Sequence, residues 1–327
     1  MSIAHTLGSS DAAPPSRPSA ARGRSLVTVS GGLNRRHFLR SALAATLAAA
    51  LPVASGGGSP RLRMGWSAWA DAEIVTRLAR QVLEEHLQQA VELVLLDIES
   101  VYRSLADGRI DVMLVSWQPH THEHLLGLVA GKSEHLGPIY QGARLGWVVP
   151  GYVPEEQVAS IGDLAKPAVR QRMRGVVHGI DPGSGLMRLS QQAIVRYRLQ
   201  GYALRGASGS GMGAAVAGAV ERGDWVVATA WTPHWLFARY PLRFLQDPMG
   251  VLGDSESVHG LGRAGFAQDF PRAAAFLRSF QLSLADLEAM MLTATLGAPE
   301  QAVRTWLEIH EDNLETWLAS SARGVPS

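Results

Sequence analysis

The chain has 327 residues, 46% of them apolar, and a formal net charge of +1. That is enough apolar material for two lobes of ordinary domain size, and so small a net charge, with no block of like charges in the body of the chain, argues against a nucleic-acid or strongly anionic partner. There is no cysteine, which excludes disulfides, thiolate metal ligands and a lipid attached through an N-terminal Cys; tryptophan is the outlier, with 9 copies against 7 phenylalanines and 6 tyrosines.

Residues 1–32 are rich in Ser, Ala, Pro and Gly and carry no apolar period. NRRHFLRSALAATLAAALPVASGGG follows, with Arg35 and Arg36 ahead of Phe38 and Leu39 and an Ala/Leu stretch from Ser41 to about Ala54. The stretch is too short and too weakly apolar to span a bilayer stably. Its order of basic head, modest apolar middle and small-residue exit is that of a signal peptide, and the paired arginines resemble a twin-arginine export signal. The expectation is a leader over 1–57, cleavage near 54–58, and a soluble, non-lipidated periplasmic protein. An uncleaved amphipathic tail is the alternative. The long region before the arginines suggests a start codon downstream, at Val29 or Leu33.

From Arg61 onward, apolar runs alternate with helical patterns. Strands are expected at 61–66, 91–97, 111–117 and 145–150, with a helix over 71–89 whose Ile74, Leu78, Val82, Leu83 and Leu87 share one face. A short helix over 99–110 closes at Gly108. The pattern then repeats with strands at 174–180, 202–208, 225–231 and 242–247 and helices over 186–199 and 210–223. Residues from about Phe266 to Ala319 read as helical, with Trp306 and Trp317 on one face as packing residues. Strand–helix alternation predicts an α/β fold with mainly parallel sheets, in which ligands sit beyond the carboxyl ends of strands.

Two segments echo each other, Trp117-Gln-Pro-His120 and Trp231-Thr-Pro-His234. Each follows an apolar strand that the tryptophan ends, and each proline stops the pairing, which presents the indole at a sheet edge. Trp69 lies just before the first long helix. Taken singly, each of these tryptophans reads as a packing residue. Taken as three indoles at ligand-facing ends, they can box a cation that has no N–H groups, since quaternary methyls fit flat aromatic walls. GIDPGSGLM (179–187) offers the complement: a Gly-rich turn opening a helix has free N–H groups and a positive dipole, suited to a carboxylate, although an ordinary turn has the same composition. It is no Walker loop, because no Lys-Ser/Thr follows the glycines. The histidines at 120, 122 and 124, with Glu123 and His135 near, could form a metal site, or one of them could donate to a ligand carboxylate. Pro119 breaks the strand ahead of them, and no second ligand cluster completes a metal site. SGSGMG (208–213) reads as small residues for tight helix packing. No nucleophile elbow, HExxH or dinucleotide fingerprint is present, so the chain is read as non-enzymatic, without a cofactor.

With GIDPGSGLM, ATAWTPHWLFARYPLRFLQDP, SWQPHTH and LGPIYQGARLGWVVP in compatible order, the stretch from about 60 to 318 resembles the glycine betaine and quaternary-amine substrate-binding proteins of ABC importers. The resemblance implies a two-lobed periplasmic-binding-protein fold of type II-like topology with the ligand in the interlobe cleft. It implies a cage of Trp69, Trp117 and Trp231, and a ligand carboxylate held by the backbone N–H groups of Gly185 and Leu186 and by His122. Some relatives carry an aromatic inside the P-G-x-G turn; Ser184 stands there in this chain, so the third wall falls to Trp69, with Trp66 as its competitor. His120 and His124 depart from the family pattern and are expected to be exposed or to stand behind the site. The implied layout is 58–150 plus 246–320 as lobe 1, 151–245 as lobe 2 and 321–327 as a tail. The implied ligand is glycine betaine or a similar zwitterion, with a choline- or carnitine-preferring receptor or a His-cluster metal-binding protein as alternatives. The implied partners are a permease and its ATPase, and the protein is expected to be a monomer.

Overall fold

The computed structural model describes residues 60–323. The leader, its arginine pair and its cleavage site, and residues 324–327 of the tail, lie outside the described residues.

The chain opens with β1 (Leu62–Trp66), α1 (Ala70–Glu85), β2 (Val91–Leu95), α2 (Ile98–Ala106) and β3 (Val112–Gln118). The expected face of α1 is buried: Ile74, Leu78, Val82 and Leu83 are at most 2% exposed. Asp97 caps α2 by accepting the Ser100 N–H, and Gly108 follows its end with φ +66°, a conformation that costs glycine least. The short α3 (Glu123–Val129) leads into the long β4 (Ser133–Pro150). After a capped 3-10 turn come α4 (Pro167–Arg172), β5 (Val176–His178), α5 (Gly185–Arg196), β6 (Ala203–Arg205), α6 (Gly209–Arg222), β7 (Val227–Thr232), α7 (Trp235–Arg239), β8 (Leu242–Phe244) and β9 (Glu256–Arg263). The helical tail is five pieces: α8 (Phe266–Asp269), α9 (Pro271–Ser279), α10 (Leu284–Ala294), α11 (Pro299–Ile309) and α12 (Glu311–Arg323). Trp306 and Trp317 stack there at 5.9 Å, with Phe280 edge-on to Trp317, so both are packing residues as expected.

The strands run in the order β2-β1-β3-β9-β4-β7-β5-β6, with β8 on β4. Residues 133–143 of β4 pair with β9, and residues 144–150 pair with β7 and β8, so this one strand belongs to two sheets. The sheets are mixed rather than mainly parallel. Pairs β1–β2, β1–β3, β5–β6 and β5–β7 are parallel, while β3–β9, β4–β9, β4–β7 and β4–β8 are antiparallel. The antiparallel core comes from two strands that periodicity does not reveal. The strand expected at 145–150 begins twelve residues earlier, and β9 was not expected at all. Three register shifts between β4 and β9 break the two-residue alternation, and Gly137 and Gly142 take positive φ at them. In β9, Gly262 lies where a Cβ would come within 2.7 Å of the Phe266 ring, so close packing excludes the β-branched residues that mark a strand.

Candidate functional site

Both tryptophan-ended strands run one residue past the indole, to Gln118 and Thr232, and a cis peptide to Pro119 and to Pro233 follows at once. Trp117 pairs with Val258 of β9 and Trp231 with Leu145 of β4, each at the last turn of its ladder. Trp69 stands at the N-cap of α1 in extended conformation. These three residues, with His122, Gly185 and Leu186, line a single narrow cavity. All six residues expected at the site are thus brought together. Trp66 does not line it; its ring lies under the Arg77 guanidinium at 5.8 Å.

His122 is fixed by its own strand. Its Nδ1 accepts the Trp117 backbone N–H at 3.1 Å, while its backbone N–H donates to Trp117 O. A backbone N–H can only donate, so the neutral ring carries its proton on Nε2. That Nε2 is buried and has no partner among the described residues. Burial first, then the charges of His124 and Arg188, push the pKa of His122 down to about 3, so the ring stays a neutral donor. Its ring centroid is 5.9 Å from that of Trp69.

α5 supplies the remaining donors. Ser184 caps it, its Oγ accepting the Met187 N–H, and Asp181 O accepts the Ser184 N–H. The N–H groups of Gly185 and Leu186 take no partner among the described residues, as is usual for the first turn of a helix. Gly185 has to be glycine: a Cβ would stand 2.3 Å from the Thr121 carbonyl.

Three acidic residues that sequence reasoning passed over hold this arrangement. Asp71 lines the cavity from the first turn of α1; Oδ1 accepts from Trp231 Nε1 at 2.9 Å and Oδ2 from Tyr140 Oη at 2.6 Å. Burial raises its pKa, and the two donors oppose that rise. Asp181 accepts from Trp69 Nε1 at 2.8 Å. Glu256, buried on β9, accepts the N–H groups of His120 and Thr121 and the Thr121 hydroxyl.

The other histidines do not converge with His122. His120 and His124 are exposed, and no group of three or more His, Asp or Glu among the described residues could hold a metal ion. His234 is buried, meets Trp231 edge-on at 4.5 Å and caps α7 through Nδ1. In SGSGMG, Ser208 caps α6 and a Cβ on Gly213 would press on the Trp235 ring, in keeping with tight packing.

Two joined sheets, with an indole-walled cavity between the residues that each contributes, define a two-lobed ligand receptor of the periplasmic substrate-binding type. Residues 60–308 match the family model of the substrate-binding domain of ABC-type glycine betaine transport systems, and the chain belongs to that family, one of transport proteins and not of enzymes. The chain is 33% identical over 156 residues to the glycine betaine/carnitine transport binding protein GbuC of Listeria monocytogenes; the match covers 47% of this chain and spans about half, 52%, of that relative. It is similar to lactococcal OpuAC in its closed-liganded conformation with glycine betaine, at 30% identity and TM-score 0.73 over 79% of this chain and 99% of that one. An ABC-transporter choline-binding protein in complex with choline gives 27% identity and TM-score 0.73 over 79% and 91%.

Proposed function

We propose that the protein is the substrate-binding receptor of an ABC importer for glycine betaine or a similar quaternary-ammonium zwitterion. The observation that carries this reading is one cavity with two chemistries. Three indoles wall it, and three hydrogen-bond donors, His122 Nε2 and the N–H groups of Gly185 and Leu186, have no partner among the described residues. The indoles suit a methylated ammonium, each face contributing about 0.5–2 kcal/mol as water is excluded. The donors suit a carboxylate, to which hydrogen bonds are about twice as strong as neutral ones. Asp71 fixes one of these walls by accepting from Trp231 Nε1. Two relatives, the glycine betaine/carnitine transport binding protein GbuC by name and lactococcal OpuAC by its complex with glycine betaine, support the ligand class.

Choline is the second reading, favoured by similarity to the choline-bound protein. Choline leaves at least two of the three donors without an acceptor, which costs affinity relative to a betaine. The receptor is proposed to work in the periplasm as a monomer, after export by the twin-arginine-type leader, and to hand its ligand to a permease driven by a separate ATPase. The lobe boundaries 58–150 plus 246–320 and 151–245 belong to this proposal. A tryptophan-fluorescence titration against glycine betaine, proline betaine, carnitine and choline tests it. Betaines are expected to bind at least tenfold more tightly than choline, as two or more unmet donors imply, about 1.4 kcal/mol per tenfold. No response to any of the four ligands would remove the reading.

A further inference from the structure

We infer that Asp181 is a positioning residue for the cage, and that with Asp71 it forms a reciprocal latch in which the indole each sheet brings to the cavity is anchored by a carboxylate from the other sheet's side. The inference rests on the proposed ligand reading. Trp69 follows β1, in the sheet with β2, β3 and β9, and donates to Asp181, which follows β5 in the sheet with β6 and β7, at 2.8 Å. Trp231 ends β7 and donates to Asp71, in the helix after β1, at 2.9 Å. The two bonds run in opposite directions across the molecule, between residues 112 and 160 positions apart.

An indole N–H can only donate, so each tryptophan needs an acceptor to fix its ring plane. Neither finds one on its own side of the cavity. Each wall therefore takes its working orientation only when the two sides meet, and a molecule whose sides have separated would present two unanchored indoles. Asp181 does not line the cavity, so its effect on the ligand passes through Trp69. It also reaches the opposite end of the site, since its backbone carbonyl accepts the Ser184 N–H at the turn that opens α5. One residue thus ties an ammonium wall to the turn that aims the Gly185 and Leu186 donors. Two weaker contacts cross at the same place: Arg188 Nη2 donates to His120 O at 3.3 Å, and the Gly185 Cα lies against the Thr121 carbonyl.

A double-mutant cycle tests the latch, read as Kd for glycine betaine and for choline by intrinsic fluorescence, with thermal melts of the unliganded proteins alongside. Asp181→Ala is expected to weaken both ligands about tenfold or more, and alike, as a charged-acceptor bond warrants. Trp69→Phe keeps an aromatic wall and lacks the N–H, so Asp181→Ala should change Kd less than about twofold in that background. Asp181→Asn keeps an acceptor at the same position and should recover binding to within about threefold of the native protein. Equal losses from Asp181→Ala in both backgrounds would assign the residue to the turn alone and overturn the latch. An Asn variant as weak as the Ala variant would overturn it too, and keeps the proposal testable if the alanine protein fails to fold. Failure of the native protein to bind either ligand would instead sink the ligand reading.

Discussion

Trp117-Gln-Pro-His120 and Trp231-Thr-Pro-His234 each end an apolar strand on an indole that faces the same cavity, and each continues through a cis-proline. Their histidines then part. After Pro119 the chain runs on for several residues before α3, held by Glu256 through the N–H groups of His120 and Thr121. His120 is left exposed, and His122 folds back onto the Trp117 N–H, its Nε2 without a partner among the described residues. After Pro233 the next helix begins at once: His234 is its N-cap, and its ring packs edge-on against Trp231. The shared spacing marks where an indole reaches the site. Both His122 and His234 stand at a helix N-cap, but only His234 caps with its ring; the His122 Nδ1 is taken by the Trp117 N–H, which leaves Nε2 for a ligand.

The tryptophans should behave alike, with the largest effects. Trp117→Ala and Trp231→Ala are each expected to weaken glycine betaine by about a hundredfold, the loss of a cation–π wall together with its water exclusion. Because Trp231 also satisfies the buried Asp71, its variant should melt lower than the Trp117 variant. Normal betaine binding by either variant would break the parity and the cage with it.

The histidines should differ in kind. His122→Ala also strips the Trp117 N–H of its acceptor, a cost shared by every ligand. The ratio of betaine to choline affinity isolates the Nε2 donor, and it should fall about tenfold. His234→Ala should leave that ratio unchanged and lower stability by about 1 kcal/mol, as loss of an N-cap does. A changed ratio in the His234 variant, or an unchanged one in the His122 variant, would reverse the assignment.

These contrasts trace what the sequence could convey. Trp69, Trp117 and Trp231 were legible because each stands at a break in a strong local pattern, a strand end or a helix start. GIDPGSG was legible as a turn opening α5. Asp71, Asp181 and Glu256 were not, since each has an innocuous local reading as a first-turn, turn or loop acid. Their partners are 160, 112 and about 135 residues away, and no local spacing encodes such pairings. In the same way β1, α1, β3 and β7 carry clean periods, whereas the bulges of β4 and the glycines of β9 erase the alternation. The mixed sheet and the strand shared by both sheets were hidden with them.

The smallest effect on affinity is expected from pH, and it too bears on the two histidines. Burial holds both His122 and His234 at about 3, below the ordinary value of 6.5. Between those values the unfolded chain takes up protons that the native chain refuses. The stability each neutral ring confers is therefore complete above about pH 6.5 and is lost as pH falls toward 3, at up to about 1.4 kcal/mol per pH unit for each ring. Ligand affinity follows the native state alone. His122 stays a neutral donor throughout, so the Kd for glycine betaine should be flat from about pH 8 to about pH 5 while the melting temperature declines. His234→Ala should make that decline shallower without touching the flat affinity. An affinity that changes sharply near pH 6.5 would mean that His122 titrates at its ordinary value, and that its ring is not buried against Trp117 as described.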